Sequence, residues 1–203
     1  MKLADLNFCK KNLNKGQKRM CNALEFLVRL LLMSVPIYLL IGIGISSIIL
    51  MPLQSAVASQ TAWVLGQMGF TIQQNGIFLS ATIINNVDAF HFMINQDCTG
   101  WKSLLFVFSL IFAVPGIALR KRLWGLVFGL PIIWIGNLAR VVGVVLVEKQ
   151  YGVQAALMIH DYFWQVGLIA LVLGIWLSWL YWVRTRKKKT ILERIQEAVK
   201  WRT

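Results

Sequence analysis

Four stretches of this 203-residue chain are apolar for long enough to cross a lipid bilayer, and no other feature limits its fold as tightly. They cover residues 30–50, 101–118, 123–147 and 162–182. A spanning helix needs about 20 predominantly apolar residues. Inside lipid each backbone polar group must be satisfied within the segment, so such runs fold as helices. Pro36 lies inside the first run, a position that packing against neighbouring helices can accommodate. The last run carries Tyr162, Phe163 and Trp164 at one end and Trp179, Tyr181 and Trp182 at the other, the pattern of aromatic belts at both membrane interfaces. With 58% hydrophobic residues, the chain leaves no room for a large water-facing domain. The expected fold is a mainly α, polytopic membrane helix bundle of about four transmembrane helices. It occupies residues 26–183, between a basic segment over 1–25 and a basic tail over 184–203. Ala56-Val57-Ala58 resembles a signal-peptide cleavage site. The long hydrophilic lead and an apolar run exceeding the usual ~7–15 residues argue instead for an uncleaved anchor.

The net charge is +13, from 21 Lys+Arg against 8 Asp+Glu. Its placement matters more than its size. Lys2, Lys10, Lys11, Lys15, Lys18 and Arg19 precede the first run; Arg120, Lys121 and Arg122 separate the second from the third; Arg184, Arg186 and Lys187 to Lys189 open the tail. Clusters flanking apolar segments set topology and attract anionic lipid headgroups. Nucleic acid is the weaker partner, since no aromatic residues interleave with a folded basic face. With four spans the three basic regions share one side, which the positive-inside rule makes the cytoplasm. The other side receives residues 51–100 and 148–161, whose only basic residue up to position 101 and beyond the third run is Lys149. The expected location is the plasma membrane, multi-pass, with both termini cytoplasmic.

Residues 51–97 contain no Lys or Arg. Residues 53–66 suit an amphipathic helix on the membrane surface, with Trp63 as interfacial anchor. Three short β-rich runs follow at 70–73, 77–83 and 90–94, with Asn75-Gly76 between the first two, a pair that favours a tight hairpin turn. A small outer β-element therefore delivers the chain to Asn95-Gln96-Asp97-Cys98-Thr99-Gly100-Trp101.

Cys98 is the only cysteine after residue 21. In this topology Cys9 and Cys21 lie inside, so Cys98 has no intramolecular disulfide partner. From the residues alone, a buried inert thiol or an intermolecular disulfide stands level with a reactive nucleophile. Its position shifts the balance. At the start of a helix, with Asp97 or Thr99 as N-cap, free backbone N–H groups and the helix dipole lower a thiol pKa and can receive an oxyanion. Asp97 opposes this, so it is expected to be paired or turned away. Arg140 is costly in a spanning helix, by about 2.5–3.5 kcal/mol when central. Snorkelling to headgroups is one account of it; a cation facing a polar pocket is the other. Asn137 lies three residues earlier on the same helix face, which favours the pocket. His160 precedes the last span on the outer side, where a Cys–His pair is the minimum for thiol-based acyl transfer. His91 competes, from within a strand-like run. No metal or cofactor is required.

Asp97-Cys98-Thr99-Gly100-Trp101 at a helix start, Asn137-Leu138-Ala139-Arg140 near the outer end of a later span and His160 before the last span together resemble the exosortase/archaeosortase family, over residues 70–182. The resemblance implies a membrane-embedded cysteine protease/transpeptidase. Such enzymes act on membrane proteins bearing a C-terminal sorting signal, made of a short motif, a transmembrane helix and a basic tail. They cleave near the motif and pass the product to a lipid or other acceptor. The implied nucleophile is Cys98, with Arg140 and His160 in support. One archaeal subgroup carries arginine at the third position, where this chain has His160. Two rivals from other classes are a small transporter with Asn137 and Arg140 lining a path, and a non-catalytic assembly subunit docking through the β-element.

Overall fold

A computed structural model describes residues 14–40, 46–83, 90–160 and 164–200. Six helices and three strands follow in chain order. They are α1 (Lys15–Leu40), α2 (Ser46–Gln67), β1 (Phe70–Asn75), β2 (Phe78–Ile83), β3 (Phe90–Met93), a 3-10 turn (Gln96–Thr99), α3 (Trp101–Ala113), α4 (Leu119–Tyr151), α5 (Val153–Met158) and α6 (Trp164–Lys200). The mainly α, membrane-type bundle with a small sheet before Cys98 is the expected architecture.

The number and limits of the long helices differ from expectation. Among the described residues three helices are long and apolar enough to cross a membrane, in α1, α4 and α6. The expected second span is only 13 residues long as α3. At 1.5 Å per residue it covers about 20 Å, short of the ~30 Å hydrocarbon core. It stops at Val114, which is extended at φ −67 and ψ 118, because the residue before a proline is driven out of the helical region. Gly116 then turns at φ +70. Arg122 closes this end by donating from Nη1 to the Phe112 carbonyl at 3.1 Å and from Nη2 to the Val114 carbonyl at 2.8 Å. The expected first span and surface helix are redistributed too. Helix α1 starts at Lys15 and ends at Leu40, while α2 starts at Ser46 and takes in both the end of the first apolar run and the expected surface helix. Residues 41–45, and Tyr162 and Phe163 of the expected aromatic belt, lie outside the described residues.

Helices α4 and α6 run antiparallel through three close approaches. Cβ atoms placed on Gly125, Gly129 and Gly136 would meet Trp179 at 2.6 Å, Ile175 at 3.2 Å and Leu171 at 2.7 Å. Small residues let membrane helices approach this closely, which is where their van der Waals attraction comes from. Val107, Leu110 and Ile111 of α3, Ile133 of α4 and Val172 and Trp179 of α6 form this core. Tyr38 of α1 meets Trp101 of α3 with ring centroids 5.5 Å apart, and Phe26 meets Trp176 at 5.8 Å. The outward faces stay apolar, with Leu24, Leu31, Phe128, Ile135, Ile169 and Leu173 exposed, as lipid contact requires.

The second packing unit sits at the other end of α4. Strands β1, β2 and β3 form an antiparallel sheet in that order, with Phe70 opposite Ile83, Asn75 opposite Phe78 and Phe78 opposite Met93. The hairpin loop is Gly76-Ile77, with Gly76 at φ +62, the positive φ that a two-residue hairpin loop demands. Helix α2 buries Leu50, Gln54, Val57, Ala58, Thr61 and Leu65, one face at helical spacing. Trp63 on the opposite face is 68% exposed. Val57, Ala58, Leu79, Ile94, Cys98 and Val141 pack as one cluster, and Leu65, Phe70, Ala81, Val142 and Val145 as the next. The sheet and α2 thus clamp the later half of α4 and hold the turn that carries Cys98.

Candidate active site

The turn Gln96–Thr99 is built by local hydrogen bonds. Asn95, extended at φ −79 and ψ 175, is its N-cap, and its Oδ1 accepts from the Cys98 N–H at 3.0 Å. Thr99 Oγ1 donates to the Gln96 carbonyl at 2.7 Å. Gln54 of α2 donates to the Ile94 carbonyl at 3.0 Å from a buried side chain, tying the strand leading into the turn to the neighbouring helix. The expected caps are therefore corrected. Asn95 caps the turn, and Gly100 stands at the N-cap of α3 with no side-chain cap. Thr99 is fully buried and, besides its bond to the Gln96 carbonyl, accepts a long 3.4 Å bond from the Trp101 N–H. Asp97 turns outward and pairs with Lys102 at 2.6 Å, as expected from its charge.

Gly100 joins the turn to α3 and lies against α4. It sits at φ +71, left-handed backbone that side-chain-bearing residues resist. A Cβ there would lie 2.8 Å from Asn137 Cγ. The missing side chain lets Asn137 reach in and donate from Nδ2 to the Cys98 carbonyl at 2.8 Å. Asn137 is 1% exposed and Arg140, one helical step later, 6%. Arg140 does not snorkel: it donates from Nη1 to the Asp97 carbonyl at 3.2 Å, with Asn137 Oδ1 at 3.5 Å. Its Nε–H has no partner among the described residues.

His160 arrives by a reversal. Gly152 ends α4 at φ +84, its N–H donating to the Glu148 carbonyl at 2.9 Å, and α5 packs back along α4. His160 Nε2 then lies 2.8 Å from Arg140 Nη2 and 4.0 Å from Cys98 Sγ. A guanidinium only donates, so in this arrangement Nε2 is the acceptor and the imidazole proton sits on Nδ1. One lone pair thus faces two donors, the guanidinium and the thiol. Cys98, Arg140 and His160, far apart in sequence, are in one place. His91 is elsewhere, opposite Ser80 on β3 and exposed.

Cys98 is a free thiol, 9% exposed. Burial pushes its pKa up; the Arg140 guanidinium and the hydrogen bond from Asn95 favour the thiolate, and Asp97 opposes it. The net direction is upward, the reverse of the lowering expected at a helix start. The reason is burial, which outweighs the Arg140 guanidinium and the Asn95 N–H; the Cys98 N–H is itself taken by Asn95 Oδ1 and does not stand open to an oxyanion. The positive groups that remain are on Arg140.

A cavity of about 200 Å³ opens beside Cys98 and His160, walled by β3, α4 and α5. Glu148 lines it; sequence reasoning passed over this residue because it sits among the polar residues at a helix end. Asn95 was legible, an Asx residue three before the residue it caps. A larger cavity of about 930 Å³ lies between α4 and α6, where Arg120, Trp124, Phe128 and Trp179 line it, at the end of α4 remote from Cys98. Among the described residues no group of His, Cys, Asp and Glu is arranged to hold a metal ion.

The family model for transmembrane exosortases (Exosortase_EpsH) matches residues 18–180. No curated protein and no solved structure matches.

Proposed function

The chain belongs to the transmembrane exosortase family, and from that premise we propose that it is a cysteine protease/transpeptidase acting on membrane proteins with a C-terminal sorting signal. The observation that carries this reading is the Cys98–His160–Arg140 contact chain, 4.0 Å from thiol to imidazole and 2.8 Å from imidazole to guanidinium, beside an open cavity. Cys98 is the nucleophile, His160 the base that becomes the acid, and Arg140 the cation that meets developing negative charge.

The shared acceptor on His160 sets the order of events. While Arg140 occupies Nε2, the thiol keeps its proton. An incoming substrate carbonyl offers the guanidinium another acceptor, and the unpartnered Nε–H of Arg140 adds a donor close by. As Arg140 turns to the carbonyl, Nε2 is released to take the Cys98 proton. The thiolate attacks the carbonyl carbon, and the electron pair on oxygen is held by Arg140. Collapse breaks the C–N bond, and the imidazolium returns its proton to the leaving amine. The thioester is then resolved by an acceptor hydroxyl or amine, of a lipid or another molecule, or by water, which restores the free thiol. Asn137 and Gly100 keep the nucleophile's turn against α4 during these steps.

The site lies at the end of α4 opposite Arg120–Arg122, about 27 Å away over the 18 residues from Arg122 to Arg140 at 1.5 Å each. With the positive-inside rule this supports an outer-face site in the plasma membrane and cytoplasmic termini. Anionic lipids would then meet the basic segments on the inner side. The deciding experiment is capture of the acyl-enzyme. Incubation with a matched substrate, acid quench and intact-mass analysis should show a mass addition on Cys98 that hydroxylamine removes. Complete processing with no such adduct, and the same processing by Cys98→Ala, would discard the reading.

A further inference from the structure

The cavity beside Cys98 is walled by apolar side chains, among them Phe92, Val144, Val145 and Leu157, and among the described residues carries one carboxylate, Glu148. Val141, Val144, Val145 and Glu148 fall at helical spacing on α4 and form one stripe along the cavity. Val141 packs in the same cluster as Cys98. Glu148 is seven residues further, about 10 Å along the axis. The stripe therefore runs from the nucleophile outward and ends on a negative charge.

That charge is poorly placed for the protein alone. Glu148 is half-buried and has no ion pair or hydrogen bond from its carboxylate among the described residues. Its neighbour Lys149 lies instead over the Phe70 ring, 4.6 Å from the centroid. Glu148 also sits in the last turn of α4, where the helix dipole disfavours anions. Burial and dipole both oppose a carboxylate here, and a bound cation would relieve both.

Resting on the reading of Cys98 as nucleophile, we propose that Glu148 is a specificity-determining residue. The cavity accepts a substrate side chain with an apolar stem and a cationic head, lysine or arginine, whose head pairs with the Glu148 carboxylate. An extended peptide advances about 3.4 Å per residue, so the basic residue lies within about three positions of the scissile bond.

The test uses peptidyl chloromethyl ketones of four residues, with Arg, Gln or Glu placed at each position in turn, on the full-length protein in nanodiscs. Labelling of Cys98 is followed by mass spectrometry. At one position the Arg peptide should label wild type at least about tenfold faster than the Glu peptide. Glu148→Gln should bring Arg and Gln peptides level, and Glu148→Lys should reverse the order. A folding defect slows all three reagents together and cannot reverse them. A preference for Arg that persists in Glu148→Lys, a flat series in wild type, or a preference independent of the position of Arg would overturn the proposal. Iodoacetamide, small and neutral, separates this from the underlying reading. Should it alkylate Cys98 equally fast in wild type, His160→Ala and Arg140→Gln, the nucleophile assignment itself fails; should those rates differ while the peptide series is flat, only the role of Glu148 fails.

Discussion

The two ends of α4 solve the same problem, holding the helix against its neighbours, with opposite chemistry. Its first half packs mainly by shape: Gly125, Gly129 and Gly136 admit Trp179, Ile175 and Leu171, while Trp179 bonds the Lys121 carbonyl at 2.9 Å and Arg122 bonds the carbonyls at the end of α3. Its later half adds, to the apolar packing of Val141, Val142 and Val145, hydrogen bonds from buried side chains to the 3-10 turn: Asn137 to the Cys98 carbonyl and Arg140 to the Asp97 carbonyl. A turn inside an apolar layer leaves carbonyls that helices would satisfy themselves, and side chains must supply the donors. A displacement at the bundle end disturbs packing alone. At the site end each donor also fixes the turn that carries Cys98.

Substitutions at the two ends should separate these roles. Cys98→Ala has the largest expected effect, complete loss of processing of a matched substrate in membranes containing equal amounts of the variant. Among the described residues Cys98 is the free cysteine. Arg140→Lys should follow, with processing down by about two orders of magnitude or more. It keeps the charge but loses the planar array of donors that serves Asp97, Asn137 and His160 together. A near-silent Arg140→Lys would put the residue with the packing end of the comparison. His160→Ala should be nearly as severe, with residual activity growing at high pH where the thiol ionises unaided.

A matched pair of glycine substitutions sharpens the contrast. Gly100→Ala and Gly125→Ala each force a Cβ to within 3 Å of a buried side chain, Asn137 at 2.8 Å and Trp179 at 2.6 Å. Each should cost about 1–3 kcal/mol of stability, read as earlier thermal aggregation of the detergent-solubilised protein. Only Gly100→Ala should also lower processing per folded molecule, by about ten- to a hundredfold, through displacement of the Cys98 turn. Equal turnover losses in both would erase the distinction between the ends.

The smallest expected effect is electrostatic. Burial holds the Cys98 thiol above its ordinary range, with Arg140 lowering and Asp97 raising it. The rate of iodoacetamide alkylation should therefore rise through a midpoint on the alkaline side. Asp97→Asn removes a negative charge and shifts that midpoint to lower pH; Arg140→Gln removes a positive one and shifts it higher. Superimposable profiles would mean that neither charge reaches the sulfur.

Much of the site was legible before any coordinates. Arg140 and Asn137 stand out as polar residues in an apolar run, and Cys98 and His160 flank such runs. What was misjudged depended on competition between neighbours. Asp97 and Thr99 have good capping chemistry, but Asn95 reaches the Cys98 N–H first and Lys102 claims Asp97. The run over residues 101–118 is predominantly apolar, yet Pro115 and Gly116 stop the helix at Ala113, a local signal that outweighs hydropathy.

By itself the amino-acid sequence determined the element types, the membrane class and the asymmetry of charge between the two ends. These follow from run length, residue type and order along the chain, which need no knowledge of contacts. Only the tertiary structure decided that one imidazole nitrogen faces both the Cys98 thiol and the Arg140 guanidinium. Only it decided that Gly100 makes room for Asn137 and that Glu148 ends the stripe beginning at Cys98. The physical reason is that hydrogen bonds act over about 3 Å. Spacings of 42 and 62 residues between Cys98 and its partners carry no information at that scale until packing against the sheet and α2 brings the turn to α4, and the reversal at Gly152 brings His160 back to Arg140.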